Sequence, residues 1–165
     1  DVAIRVGWLP ESNLVAKKLA ETPMVVFASP EYINRAGKPE TPSELLNHNW
    51  IQFTLMPSPV RWTFQKQGQA ETIQVRGSLK TNSASAVITM AVEGQGVSAI
   101  SRFAIQPEIE AGKLIQLLPD YQLKPVGIFA VYPHREHLPP KTRVLLDFLD
   151  KRCRNASWNI RQERQ

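Results

Sequence analysis

The stretch 89–101, TMAVEGQGVSAIS, sets two glycines around one glutamine, between an apolar run of helical spacing and an apolar run that reads as a strand. Val87, Met90 and Ala91 recur on one helical face, from a start near Asn82 or Ser83. Gly94 suits the left-handed residue that ends a helix, and Gly96 frees the turn into a strand over 97–100. GQG is neither a dinucleotide fingerprint nor a phosphate loop. The stretch therefore predicts a tight helix-to-strand junction. A second such unit follows directly: Ser101 can cap a helix, Gly112 ends it, and 114–117 returns as a strand.

Upstream, 61–66 and 72–79 alternate apolar and polar residues about a Gln67-Gly68 turn signal, which predicts a hairpin. Trp62 and Phe64 share one of its faces, and Ile73, Val75 and Leu79 another. A strand is expected over 50–53. Thr41-Pro42-Ser43-Glu44 reads as the start of a short helix ending near Asn47, with Thr41 as cap and Glu44 closing a capping box. Ser29-Pro30 opens another helix, with serine as cap and proline in the first turn. Further back, 2–6, 14–20 and 24–28 read as extended runs. Downstream, 126–132 is a strand and 140–152 a helix with Val144, Leu145, Phe148 and Leu149 inward. Strands alternating with helices imply an α/β fold with a mixed sheet.

The 165 residues suffice for one well-cored domain or two small lobes, and 42% hydrophobic with 21% charged residues is ordinary for a globular protein. No apolar run is long enough to cross a bilayer, so no membrane contact is expected. No basic, apolar, small-residue series opens the chain, so no secretory leader is expected. The single cysteine, Cys153, excludes an internal disulfide framework and fits a reducing cytoplasm. The formal charge is +5, but five cations against the lone Glu163 place four of those charges after Asp150. A short basic tail is usually a solvated segment and not a nucleic-acid footprint. Asp1 leads straight into VAIRVG, a strand-like run, so the chain reads as a piece of something longer.

Catalytic constellations are scarce. His48, His134 and His137 have no cysteine or acidic cluster to complete a metal site. Ser12, Ser29 and Ser43 lie at turns or caps, outside any G-x-S-x-G elbow. No metal, cofactor or catalytic residue is expected. Thr81-Asn82-Ser83-Ala84-Ser85 stands out as a segment where a strand hands over to a helix. A helix start offers free N–H groups and partial positive charge to an anion such as a carboxylate. The same segment also reads simply as a helix cap.

The motifs DVAIRVG (1–7), LVAKKLAETPMVVFASPEYI (14–33), TPSELLNHNWIQF (41–53), EGQGVSAIS (93–101), IEAGKLIQLLPD (109–120) and FAVYPHREHLPPKTRVLLDFL (129–149) follow in order. Together they resemble the effector-binding (substrate-binding) domain of LysR-type transcriptional regulators, over essentially 1–152. The resemblance implies an α/β, two-lobed, periplasmic-binding-protein-like (type II) fold with mixed sheets and an incomplete first lobe. Residues 1–23 would be the remnant of that lobe and 24–126 the second lobe. Residues 127–152 would return to the first lobe with the C-terminal helix, leaving 153–165 as a basic tail. It implies a cytoplasmic, non-enzymatic sensor that forms a homodimer or larger homo-oligomer. DNA would be bound only through an N-terminal helix-turn-helix absent from this sequence. A small anionic or polar effector is expected between the lobes. Asn82, Ser83 and Ser85 would donate to it, Phe53 and Ser101 would frame the pocket, and Trp8 and Leu9 would form an apolar wall. The alternative is a freestanding solute-binding protein or enzyme of the same fold.

Overall fold

The computed structural model describes residues 2–8, 14–133, 139–156 and 159–160. The chain opens with strands β1 (Ala3–Gly7), β2 (Leu14–Thr22) and β3 (Met24–Ala28), followed by helix α1 (Pro30–Ala36) and a 3-10 helix over Pro42–Asn47. Strands β4 (Ile51–Phe53), β5 (Arg61–Lys66), β6 (Gln69–Gln74) and β7 (Leu79–Thr81) come next. Helix α2 (Ala84–Val92), β8 (Ser98–Ser101) and α3 (Arg102–Glu110) then alternate. The chain continues through β9 (Ile115–Leu117), β10 (Gln122–Leu123) and β11 (Val126–Pro133) to α4 (Pro140–Arg154). Two compact units result, one from Asp1–Pro23 with Pro125–Gln165 and the other from Met24–Lys124.

In the larger unit, β3 lies between β8 and β9, antiparallel to both. β4 pairs with β7 in parallel, and a parallel bridge from Trp50 to Val97 joins this pair to β8. The bridge is held by Ile51 N–H donating to Val97 O at 2.8 Å and Val97 N–H donating to Asn49 O at 2.9 Å. The result is a mixed row β7-β4-β8-β3-β9. Val25, Phe27, Ile51 and Ile100 from its strands pack with Val87 and Ala91 of α2 and Ile105 of α3. The smaller sheet β10-β5-β6 buries Trp62, Phe64 and Ile73, and Trp62 lies 5.5 Å from the fully buried Trp50.

The junction after α2 is a complete Schellman ending. Gly94 has φ +66, its N–H donates to Ala91 O at 3.1 Å, and Gln95 N–H donates to Met90 O at 3.0 Å. Gly96 serves a different need: a Cβ there would stand 2.3 Å from Asn49 O, where the two backbones meet.

Three local expectations are corrected. Leu79 leaves the hairpin and begins β7, so the second hairpin strand is β6, paired with β5 from Arg61↔Gln74 to Lys66↔Gln69. Thr41 makes no side-chain cap bond. Its hydroxyl donates to Glu44 Oε1 at 3.1 Å, while Glu44 Oε2 accepts the Glu40 N–H at 2.9 Å. The first turn is the tighter 3-10 kind, with Glu44 N–H to Thr41 O, so the glutamate reaches one residue further back than a capping box requires.

The third correction concerns the smaller unit, where β11 lies between β1 and β2 in an antiparallel sheet that α4 covers through β2. Thr142, Leu146 and Asp150 are the buried residues of α4, whereas Val144, Leu145 and Phe148 face outward at 68%, 44% and 63% exposure. Only Leu149 of the expected inward set packs against the Leu19–Ala130–Leu146 core. The buried row at i, i+4, i+8 admits Asp150 because Arg154 and Lys17 pair with its carboxylate. Cys153 and Arg154 belong to this helix and not to a tail. Asn159 then donates to Cys153 O and accepts the Glu21 N–H, tying this residue to α4 and β2.

Candidate functional site

The parallel run of β4, β7 and β8 brings their carboxyl ends, Phe53, Thr81 and Ser101, to one edge of the sheet. Register places Phe53 opposite Thr81 and Ser101 opposite Met24, the first residue of β3. In open α/β sheets, ligands bind beyond the carboxyl ends of the strands. Helices α2 and α3 both start from this edge.

The handover from β7 to α2 is locked by short-range bonds. Thr54 donates to Thr81 O from its N–H at 2.9 Å and from its hydroxyl at 3.2 Å. Ser83 N–H donates to Thr81 Oγ1 at 3.1 Å, and Ser83 Oγ accepts the Ala86 N–H at 3.3 Å as the helix cap. Asn82, Ser83 and Ser85 are exposed, and the first turn of α2 carries no acidic residue. A fixed helix start without carboxylates favours an anion or a polar acceptor.

Ser101 occupies the cap position of α3, yet its side chain makes no cap bond. It is buried, with 7% exposure, and its hydroxyl has no hydrogen bond to another described residue. Its oxygen is not among the fully buried polar atoms that lack a partner, so it is a donor open to a ligand or to water at the strand edge. Phe53 is half-buried and packs against the core beneath the edge.

Asn82, Ser83, Ser85, Phe53 and Ser101 thus share one unit and one side of its sheet. Trp8 belongs to the other unit, where its indole N–H donates to Pro125 O at 2.8 Å. Leu9 lies outside the described residues. Thr81 falls in the strand-to-helix segment that the sequence singles out, but its hold on the Ser83 N–H is visible only in the structure. Among the described residues no three His, Cys, Asp or Glu side chains group to hold a metal ion, and His134 and His137 lie outside them. No described helix is long and apolar enough to cross a membrane.

The model of the LysR substrate binding domain matches residues 1–154. The HTH-type transcriptional regulator PtxR of Pseudomonas aeruginosa is 35% identical over 164 residues, which is 98% of this chain and 52% of that protein. The regulatory domain of CrgA, a LysR-type transcriptional regulator from Neisseria meningitidis, superposes with a TM-score of 0.81 at 30% identity, covering 93% of this chain and 75% of that one. Full-length AphB, the Vibrio cholerae virulence activator, superposes at 0.78 with 29% identity, covering 93% of this chain and 52% of that one. The chain spans about half the length of the curated relatives it matches. Its mixed α/β architecture is the periplasmic-binding-protein-like fold of these regulatory domains. The chain belongs to the LysR substrate-binding family, the effector-sensing domain of LysR-type transcriptional regulators.

Proposed function

We propose that this chain senses a small anionic or polar organic molecule on behalf of a cytoplasmic, DNA-binding regulator, without metal, cofactor or chemical turnover. The observation that carries this reading is the shared edge of β4, β7 and β8. The same edge carries the α2 start, with Asn82, Ser83 and Ser85, and the hydroxyl of Ser101, which bonds no other described residue. Phe53 supplies the apolar floor. Trp8 and Leu9 remain proposed contacts from the N-terminal part of the chain, although the Trp8 indole N–H is already committed to Pro125 O. An apolar pocket with a few placed polar groups is the usual composition of a small-molecule site. Binding acts on the regulator by differential affinity for two assembly states. DNA contact belongs to a helix-turn-helix outside this chain, and the sensing domain works as a homodimer or larger homo-oligomer.

The test is Ser83→Ala combined with Ser85→Ala. Losing the Ser83 cap costs about 1 kcal/mol or less in stability. In the full-length regulator the pair is expected to abolish the transcriptional response to effector while DNA affinity is kept. A retained response rules out this placement of the site.

A further inference from the structure

A cleft of about 340 Å³ opens in the larger unit between residues 38–40, after α1, and residues 118–121, after β9. That volume lies at the lower end of the roughly 300–1,000 Å³ usual for small-molecule sites. It shares no residue with the strand-edge site, and its case stands whether or not that site is assigned correctly.

Both walls are held in place. Leu118 has φ +51 and directly precedes Pro119. A non-glycine residue takes a positive φ only against a steric penalty, and a following proline restricts it further. The conformation is retained because the Leu118 side chain is buried and Tyr121 N–H closes the turn on Leu118 O at 3.0 Å. Backbone held in this way gathers at sites where a surface must keep its shape. The Tyr121 ring stands edge-on to the buried Phe64 and carries the Lys66 ammonium 4.8 Å from its centroid. Lys66 Nζ in turn lies 3.2 Å from Asp120 Oδ2. On the facing wall Pro39 is buried, and the Glu40 N–H is pinned to Glu44.

The charges at the cleft are balanced. Lys38 and Glu40 are exposed, and neither forms an ion pair with a described residue, while Asp120 keeps one carboxylate oxygen beyond its bond to Lys66. Two carboxylates and two ammonium groups therefore line or flank one concavity. A simple anion entering it meets Glu40 and Asp120, and a simple cation meets Lys38 and Lys66. A molecule bearing both charges satisfies both pairs. We propose that this cleft is a second ligand site, for a small zwitterion with a free α-ammonium and a free α-carboxylate. The ammonium is directed to Glu40 and Asp120, and the carboxylate to Lys38 and Lys66.

The experiment is a titration of the 165-residue chain, followed by backbone amide NMR shifts, with L-glutamine, N-acetyl-L-glutamine and L-glutaminamide. The last two probes each lack one of the two charges. The expected result is a saturable shift of the Glu40, Asp120 and Tyr121 amides by L-glutamine, with both blocked probes at least about tenfold weaker. Glu40→Gln with Asp120→Asn is expected to weaken L-glutamine about tenfold with the rest of the spectrum unchanged, since both side chains are exposed. Lys38→Gln, at a third exposed position, gives an independent variant with the same expectation. Equal effects of all three probes overturn the proposal. So does the absence of saturable shifts at these amides up to about 100 mM, or wild-type binding by the variants.

Discussion

Gly96 marks a close approach of two backbones in the larger unit. Its missing Cβ leaves room for Asn49 O, the same oxygen that accepts the Val97 N–H. Gly96→Ala forces these segments apart, with an expected loss of about 1–3 kcal/mol measured by urea unfolding. Wild-type stability in that variant contradicts the packing described. His48 offers a second test. It is buried, with Nδ1 3.3 Å from the Tyr32 hydroxyl, whose oxygen also accepts the Asn49 N–H. Arg35 lies over the Tyr32 ring, and Glu44 is the nearby acid. Burial lowers the His48 pKa below its usual 6.5, against the opposing pull of Glu44. The unfolded chain therefore takes up this proton first as pH falls. The stabilisation is whole above pH 6.5 and is lost as pH drops through the folded value. Urea unfolding is expected to show falling stability below that pH in the wild type and a flatter profile in His48→Gln. Parallel profiles would remove His48 as the cause.

At the scale of elements, the outward row of Val144, Leu145 and Phe148 on α4, with exposed Ile4 and Val6 on β1, leaves apolar surface for a second copy of the chain. Phe148→Asp is expected to change stability by less than about 0.5 kcal/mol, since the ring is exposed, yet to lower the mass found by light scattering. An unchanged mass removes this row from the pairing. The same helix shows where sequence ceases to be legible. Its existence follows from apolar periodicity, but the buried side was decided by Thr142, Leu146 and an ion-paired Asp150, which hydrophobicity alone ranks last. Gly94 and the caps at Ser29 and Ser83 were readable because each answers a local demand: Ser29 accepts the Tyr32 N–H, Ser83 accepts the Ala86 N–H, and Gly94 closes α2. β7 was not, since its three residues take their identity from pairing with β4. Within the strand-edge group, Asn82 and Ser83 were legible from the helix start. The idle hydroxyl of Ser101 is visible only once its neighbours are placed.

For the whole molecule, the ordered series of motifs carried the family where no single motif did, because spacing between elements reflects the fold as a unit. The positive charge confined to the end of the chain predicts no sequence-specific DNA binding by these 165 residues. A gel shift is expected to show at most weak, salt-sensitive retardation, and a tight sequence-selective complex would contradict that. The central claim, that effector is sensed at the strand edge, is tested most directly by Ser101→Ala in the full-length regulator, read as transcriptional response against effector concentration. Because the Ser101 hydroxyl makes no cap bond and none to another described residue, its removal is expected to change stability by no more than about 0.5 kcal/mol. A bond from it to the effector is worth roughly 1.5 kcal/mol, so the half-maximal concentration is expected to rise about tenfold at unchanged DNA affinity. A response curve that coincides with that of the wild type would contradict the account.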